Sequence, residues 1–196
     1  MVKSLLLFED PSLYPNTNKF TTIRFSKASI GNKCNQIKAL LSDKDGRMWV
    51  ENSTGQLYLY NIKNLNAHHI NHHYANYEGD YYYYQIFQDS EKNLWLGGRC
   101  FGPLFIEKSN INRCLESKFF IDYLNRDVES SCFTETKDGK VFCGTINGRI
   151  CSLNKKTCLF EVLFHVPFYP YKMITDNDGF IWIGGRSGLA KVDLGK

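Results

Sequence analysis

Four copies of one apolar–turn–apolar unit, with their large aromatics 46, 47 and 40 residues apart, and an aromatic content of 15% predict an all-β fold. The expected architecture is a β-propeller segment of about four blades, each a four-stranded antiparallel sheet.

The four units start at Ile37, Tyr84, Cys132 and Tyr171 and align without gaps through their centres. Their aromatics are Trp49, Trp95, Phe142 and Trp182. Six residues earlier stand Asp43, Asp89, Thr136 and Asp176, and three earlier stand Gly46, Lys92, Gly139 and Gly179. Asp-Gly between apolar runs signals a hairpin, because glycine takes positive φ without strain. The second unit has Glu91-Lys92-Asn93 instead, and Asn93 is expected to take the left-handed conformation in a turn shifted by one residue.

After each aromatic a second break leads to a third strand, at Leu57 to Tyr60, Leu104 to Ile106, Ile150 to Leu153 and Leu189 to Val192. Lys63 to Tyr74 and Thr157 to Val166 are expected to hold fourth, outer strands. Met48-Trp49-Val50 and Ile181-Trp182-Ile183 are apolar on both faces, as blades stacked about an axis require. Helical repeats fit less well, because Pro and Gly arrive too often.

Asp43 to Val50, Asp89 to Gly98 and Asp176 to Gly185 resemble the two-component regulator propeller repeats of bacterial hybrid sensors, whose pattern is roughly Asp-x-x-Gly-x-x-Trp-Ile-Gly-Thr. The third unit keeps Gly144-Thr145 but has Thr136 and Phe142 for the aspartate and tryptophan. The resemblance implies that the segment is part of a larger, periplasmic propeller within a membrane-anchored sensor, recognising a ligand that is often a carbohydrate. It implies units at 1–35 (a partial blade), 36–82, 83–128, 129–169 and 170–196 (incomplete). Ser4 to Glu9 and Lys19 to Phe25 would be outer strands of the first. An open arc of this kind is expected to pair with the remainder of the sensor or with another copy of the chain.

Composition narrows the function. A formal charge of +4, with basic residues scattered, disfavours nucleic acid. Seven cysteines (Cys34, Cys100, Cys114, Cys132, Cys143, Cys151 and Cys158) are an odd set without a CxxC pair, which excludes a complete disulfide framework and reads as small buried hydrophobes. The apolar run Leu5 to Phe8 is too short for a signal peptide, and no stretch approaches a membrane span.

In a propeller the loops between second and third strands share one face with the blade-to-blade crossovers. That face is expected to hold Asn52, Arg99, Asn147 and Arg186, with Tyr81 and Tyr169 at crossovers. Arg99 and Arg186 occupy one repeat position and suit a carboxylate or sulfate, while tyrosines offer stacking surfaces for sugars. The alternative is solvated arginines and packing tyrosines. His68, His69, His72 and His73 would pair as metal ligands on a helix, but the register puts them on an outer strand, so no metal is expected. Asp45, Asp138 and Asp178 are explained by their turns, and no catalytic group or cofactor is expected. The chain reads as a non-catalytic ligand-sensing or signal-transmission module that binds an oligosaccharide or other small ligand; the rival is a protein-interaction scaffold.

Overall fold

The computed structural model describes residues 6–8, 22–24, 36–53, 55–61, 66–70, 83–98, 102–116 and 128–195. Strands β1 (Leu6–Phe8) and β2 (Thr22–Arg24) form an antiparallel pair, and four further antiparallel sheets follow in chain order. The first contains β3 (Ile37–Ser42), β4 (Met48–Asn52), β5 (Leu57–Asn61) and β6 (Asn66–Ile70). The second contains β7 (Tyr83–Gln88), β8 (Leu94–Gly98) and β9 (Leu104–Ile106), and two 3-10 turns, Lys108–Asn110 and Asn112–Leu115, come next. The third contains β10 (Ser130–Glu135), β11 (Val141–Thr145), β12 (Arg149–Asn154) and β13 (Leu159–His165). The fourth contains β14 (Pro170–Thr175), β15 (Ile181–Gly185) and β16 (Gly188–Val192). Strand order within each sheet is sequence order, and the first strands β3, β7, β10 and β14 contact one another in succession. These are propeller blades with their first strands innermost.

The repeated aromatics lie on second strands and fill the gaps between blades. Trp49 packs with Ile86, Leu94 and Leu96 of the next blade, Trp95 with Phe133, Val141 and Phe160, and Phe142 with Met173, Ile181 and Ile183. Ring centroids of Trp95 lie 4.5 Å from Phe105 and 5.7 Å from Phe160. Burying a ring system of about 200 Å² at about 25 cal/mol per Å² contributes on the order of 5 kcal/mol per junction. Trp182 holds the equivalent strand position but is only half-buried, with the Lys191 ammonium 5.1 Å from its ring. Its face of the fourth blade also exposes Ile174 and Leu189.

Each aspartate–tryptophan pair is a clasp. The indole Nε1 donates to an aspartate Oδ2 at 2.9 Å in Trp49–Asp43 and Trp95–Asp89, and at 2.7 Å in Trp182–Asp176. The second carboxylate oxygen accepts the backbone N–H of Arg47, Asn93 or Phe180, so one side chain ties the first hairpin turn to the interblade ring. In the third blade Phe142 has no N–H to give, and Thr136 instead donates to Asp138 or the Lys140 carbonyl. The two exceptional residues of that unit are therefore one change.

The second blade corrects the expectation for its turn. Lys92, not Asn93, has positive φ (71°), in register with Gly46, Gly139 and Gly179. The Asp89 carbonyl accepts from Lys92 N as the Asp43 carbonyl does from Gly46 N, so the turn is not shifted. A left-handed lysine costs about 1–2 kcal/mol, partly offset by its ion pair to Asp45 at 2.6 Å. Asn93 instead hydrogen-bonds Asp89 and accepts the Lys108 N–H.

The first hairpin turns also lace neighbouring blades together. Lys44 bonds to Gln88 and Asp89, Ser90 to Glu135, and Lys137 to the Asn177 carbonyl, while Lys155 pairs with Glu91. Burial opposes the charge of Asp43, but its Trp49 and Arg47 bonds outweigh it and hold the carboxyl below its ordinary value. The Trp182 indole is the main cause of the same shift at Asp176. Groups whose pKa is lowered by folding stabilise above the unfolded value, about 3.9 for aspartate, and that contribution is lost as pH falls through the folded value. The melting temperature is thus expected to hold above about pH 5 and to fall progressively below about pH 4, with a shallower fall for Asp43→Asn, in thermal melts across that range.

Candidate functional site

One end of the first, third and fourth blades is built the same way. The N–H just after the second strand of each of these blades donates to a crossover carbonyl: Ser53 to Gln36 (2.7 Å), Ile146 to Glu129 (3.1 Å) and Arg186 to Tyr169 (3.0 Å). The loops between second and third strands are thereby held against the crossovers. Near this end every innermost strand has a register shift, between Ile37 and Ala39, Tyr83 and Gln85, Ser130 and Cys132, and Pro170 and Lys172. Such bulges re-aim single side chains. The skipped residues are Lys38, Tyr84, Ser131 and Tyr171. Ser131 Oγ lies within bonding distance of the Gly144 carbonyl (3.0 Å) and the Pro170 carbonyl (2.8 Å), joining the third blade to the fourth. Tyr171 is 55% exposed, with its ring edge-on to Tyr169 at 4.9 Å.

A cleft of about 160 Å³ opens here, lined by Val128, Glu129, Thr145, Asn147 and Arg149. Thr145 Oγ1 accepts the Arg149 N–H at 3.0 Å and lies 2.5 Å from Asn147 Oδ1, which fixes the turn, and among the described residues the Asn147 amide N–H groups make no hydrogen bond. Gly148, at φ 82°, makes the reversal. Among the described residues no hydrogen bond or ion pair involves the guanidinium groups of Arg149 and Arg186 or the Glu129 carboxylate. The cleft thus offers a planar cation, an anion, amide donors and one apolar wall.

The residues singled out in the sequence fare differently. Asn147 and Arg186 are exposed at this end, and Tyr169 is half-buried at its crossover. Asn52 is fully buried, its Oδ1 accepting the Gln56 N–H (3.0 Å) and its Nδ2 donating to Gln56 Oε1 (2.9 Å). That residue builds its turn as Thr145 does in the third blade, and has no face to offer a ligand. Arg99 and Tyr81 lie outside the described residues. His68 and His69 stand on β6, opposite Leu59 and Tyr58, and so face opposite sides of the sheet. Among the described residues no cluster of His, Cys, Asp and Glu is suited to a metal ion. Glu129 was expected at a crossover of this face and Tyr171 among the aromatics that could stack on a sugar; Arg149 was not foreseen. The only sequence signal for Arg149 was its place just after the Asn147-Gly148 turn, and a bulge residue such as Tyr171 shows only once strands are paired.

No family model matches the sequence, and no curated protein sequence does. Solved structures do. The extracellular domain of a B. thetaiotaomicron protein assigned as a hybrid two-component system aligns over 88% of this chain and 23% of its own length, with a TM-score of 0.68 at 16% identity. A second such extracellular domain from that organism aligns over 88% and 23%, with a TM-score of 0.63 at 17% identity. Virginiamycin B lyase from Staphylococcus aureus aligns over 81% and 53%, with a TM-score of 0.62 at 14% identity. At such identities the likeness is one of fold, and it places the blades among propeller-type domains. The chain spans 23% of the length of the sensor domains it matches. Among the described residues no helix is long and apolar enough to cross a membrane.

Proposed function

We propose that this chain is a non-catalytic ligand-recognition segment of a bacterial sensor's extracellular, periplasmic propeller, and that its ligand is a carbohydrate. One observation carries the reading: Arg149, Arg186, Glu129, Asn147 and the exposed Tyr171 ring stand at the end where crossovers and turns meet, with both guanidinium groups and the Glu129 carboxylate uncommitted among the described residues. A sugar ring presents hydroxyls that both donate and accept, and an apolar face that stacks on tyrosine. The cleft is smaller than the 300–1,000 Å³ or so of drug-sized pockets, which suits one ring or a chain end. Arg149 and Arg186 favour a carboxylate-bearing sugar over a neutral one, through paired hydrogen bonds. The fold likeness to extracellular sensor domains supports the setting.

The test is a glycan array followed by calorimetry. Losing a hydrogen bond to a charged group costs about 1.5–3 kcal/mol, so Arg149→Ala and Arg186→Ala are each expected to weaken binding by roughly 10- to 100-fold at an unchanged melting temperature. Unaltered affinity in both variants would remove the cleft from the reading.

A second reading rests on β13, the outermost strand of the third blade, where Leu159, Val162 and Leu163 are 45%, 48% and 49% exposed. Apolar side chains on an edge strand suit a protein-interaction scaffold. On that reading Leu163→Lys abolishes association with the partner and leaves glycan binding unchanged.

A further inference from the structure

Cys143 on β11 and Cys151 on β12 stand directly opposite each other, both fully buried in the apolar cluster beneath Trp95 and Phe160. Opposed residues of an antiparallel ladder have Cα atoms about 4.5 or 5.5 Å apart, depending on the type of pair. Both values fall inside the window of about 4.4–6.8 Å that a disulfide needs. As directly opposed residues, Cys143 and Cys151 project from the same face of the sheet, so the two thiols are cross-strand neighbours. Burial, and then the facing Cys151 thiol, push the Cys143 thiol well up, while the facing Cys143 thiol lowers Cys151, so Cys151 is the better placed to attack. No other described cysteine competes for either. Cys132 packs in the next interblade cluster, Cys114 in the previous one, and Cys158 is exposed on a turn.

We propose that Cys143 and Cys151 are a modification site, a cross-strand dithiol that closes to a disulfide by exchange with a small disulfide such as oxidised glutathione. Cys151 thiolate attacks one sulfur of the small disulfide and expels a thiolate, which takes up a proton. Cys143, once deprotonated, attacks the Cys151 sulfur of the mixed disulfide and expels the second thiolate. The two protein thiols lose two electrons and two protons, and the small disulfide gains them as two thiols. Because the pair is buried, exchange takes place during folding or when the β11–β12 hairpin opens. The bond closes a loop that contains Thr145, Asn147 and Arg149, so it staples the turn that forms one wall of the cleft.

Trypsin separates the two sulfurs, because Lys140, Arg149 and Lys155 frame them. The full chain is refolded in a glutathione redox buffer, free thiols are blocked, and the unreduced digest is analysed by mass spectrometry. The expected product is Val141–Arg149 linked to Ile150–Lys155, two hydrogens lighter than the sum of the reduced peptides. Amide exchange in the hairpin is expected to be slower in the oxidised protein than in the reduced one, and this difference vanishes in Cys151→Ala. Recovery of Cys143 and Cys151 as blocked thiols, as glutathione adducts only, or linked to other cysteines overturns the proposal. The wild-type digest decides by itself if Cys151→Ala does not fold.

Discussion

Replacing Trp95 by alanine is expected to lower the free energy of unfolding by about 3–5 kcal/mol, the range for truncating a buried large aromatic. Domains are stable by about 5–15 kcal/mol, so the variant sits near the edge of folding. Two losses combine. The ring leaves a cavity between the second and third blades, lined by Phe105, Phe133 and Phe160, and the almost fully buried Asp89 loses its indole donor. Urea unfolding of Trp95→Ala, Trp95→Phe, Asp89→Thr and the double variant separates the two. Trp95→Phe keeps most of the packing but deprives the aspartate of its donor. The Asp89→Thr/Trp95→Phe pair copies the Thr136 and Phe142 of the third blade and is expected to be more stable than the sum of the single changes predicts, by about 0.5–3 kcal/mol of coupling. Strict additivity would show that the clasp contributes nothing of its own.

The second large effect is expected at Gly148. A Cβ there would stand 2.4 Å from the Val166 carbonyl oxygen and 3.1 Å from that of Phe168, on a backbone with φ +82°. The neighbours are main chain and have little room to yield, and Val166 N already donates to the Gly148 carbonyl at 2.8 Å. Left-handed strain of about 1–2 kcal/mol and overpacking of about 1–3 kcal/mol together suggest a loss of roughly 3 kcal/mol for Gly148→Ala. Gly46→Ala shares the positive φ but meets nothing within 4 Å, and is expected to lose only the conformational part. Equal losses in thermal or urea unfolding would show that the close approach to Val166 carries no energy.

Much of the fold was legible because each blade repeats one local code. The spacing of Trp49, Trp95, Phe142 and Trp182 located the second strands, and Gly46, Gly139 and Gly179 located their turns. Two features needed the three-dimensional context. Lys92 takes the left-handed position because the flanking strands fix the length of the turn, whatever residue stands there. The 3-10 turns after β9 have no counterpart in the other described blades, so the repeat gave no guide to them. The Asp–Trp clasp lay between these cases. Its trace was the joint change to Thr136 and Phe142 in one unit, visible as two separate departures until the indole bonds joined them. The candidate site was legible by face rather than by residue. Asn147, Tyr169 and Arg186 lie at the expected end, but Asn52 is consumed by its own turn, and the cleft depends on how Glu129 in a crossover meets Arg149 in a strand.

The lacing of the first hairpin turns joins each described blade to the next along one rim. At the turn end each junction between described blades carries polar bonds that involve long, mostly exposed side chains, such as Lys44 to Asp89, Lys92 to Asp45 and Lys137 to Asn177. Singly these are weak, since exposed ion pairs contribute about 0–1 kcal/mol, but each resists separation of two rims. At the cleft end Ser131 to Pro170 is a short tether near the axis. Phe133 N–H likewise donates to Gln85 Oε1 at 2.8 Å across the preceding junction, so both junctions are held toward the cleft end as well as at the rim, and the wall of the cleft is set by the fold itself.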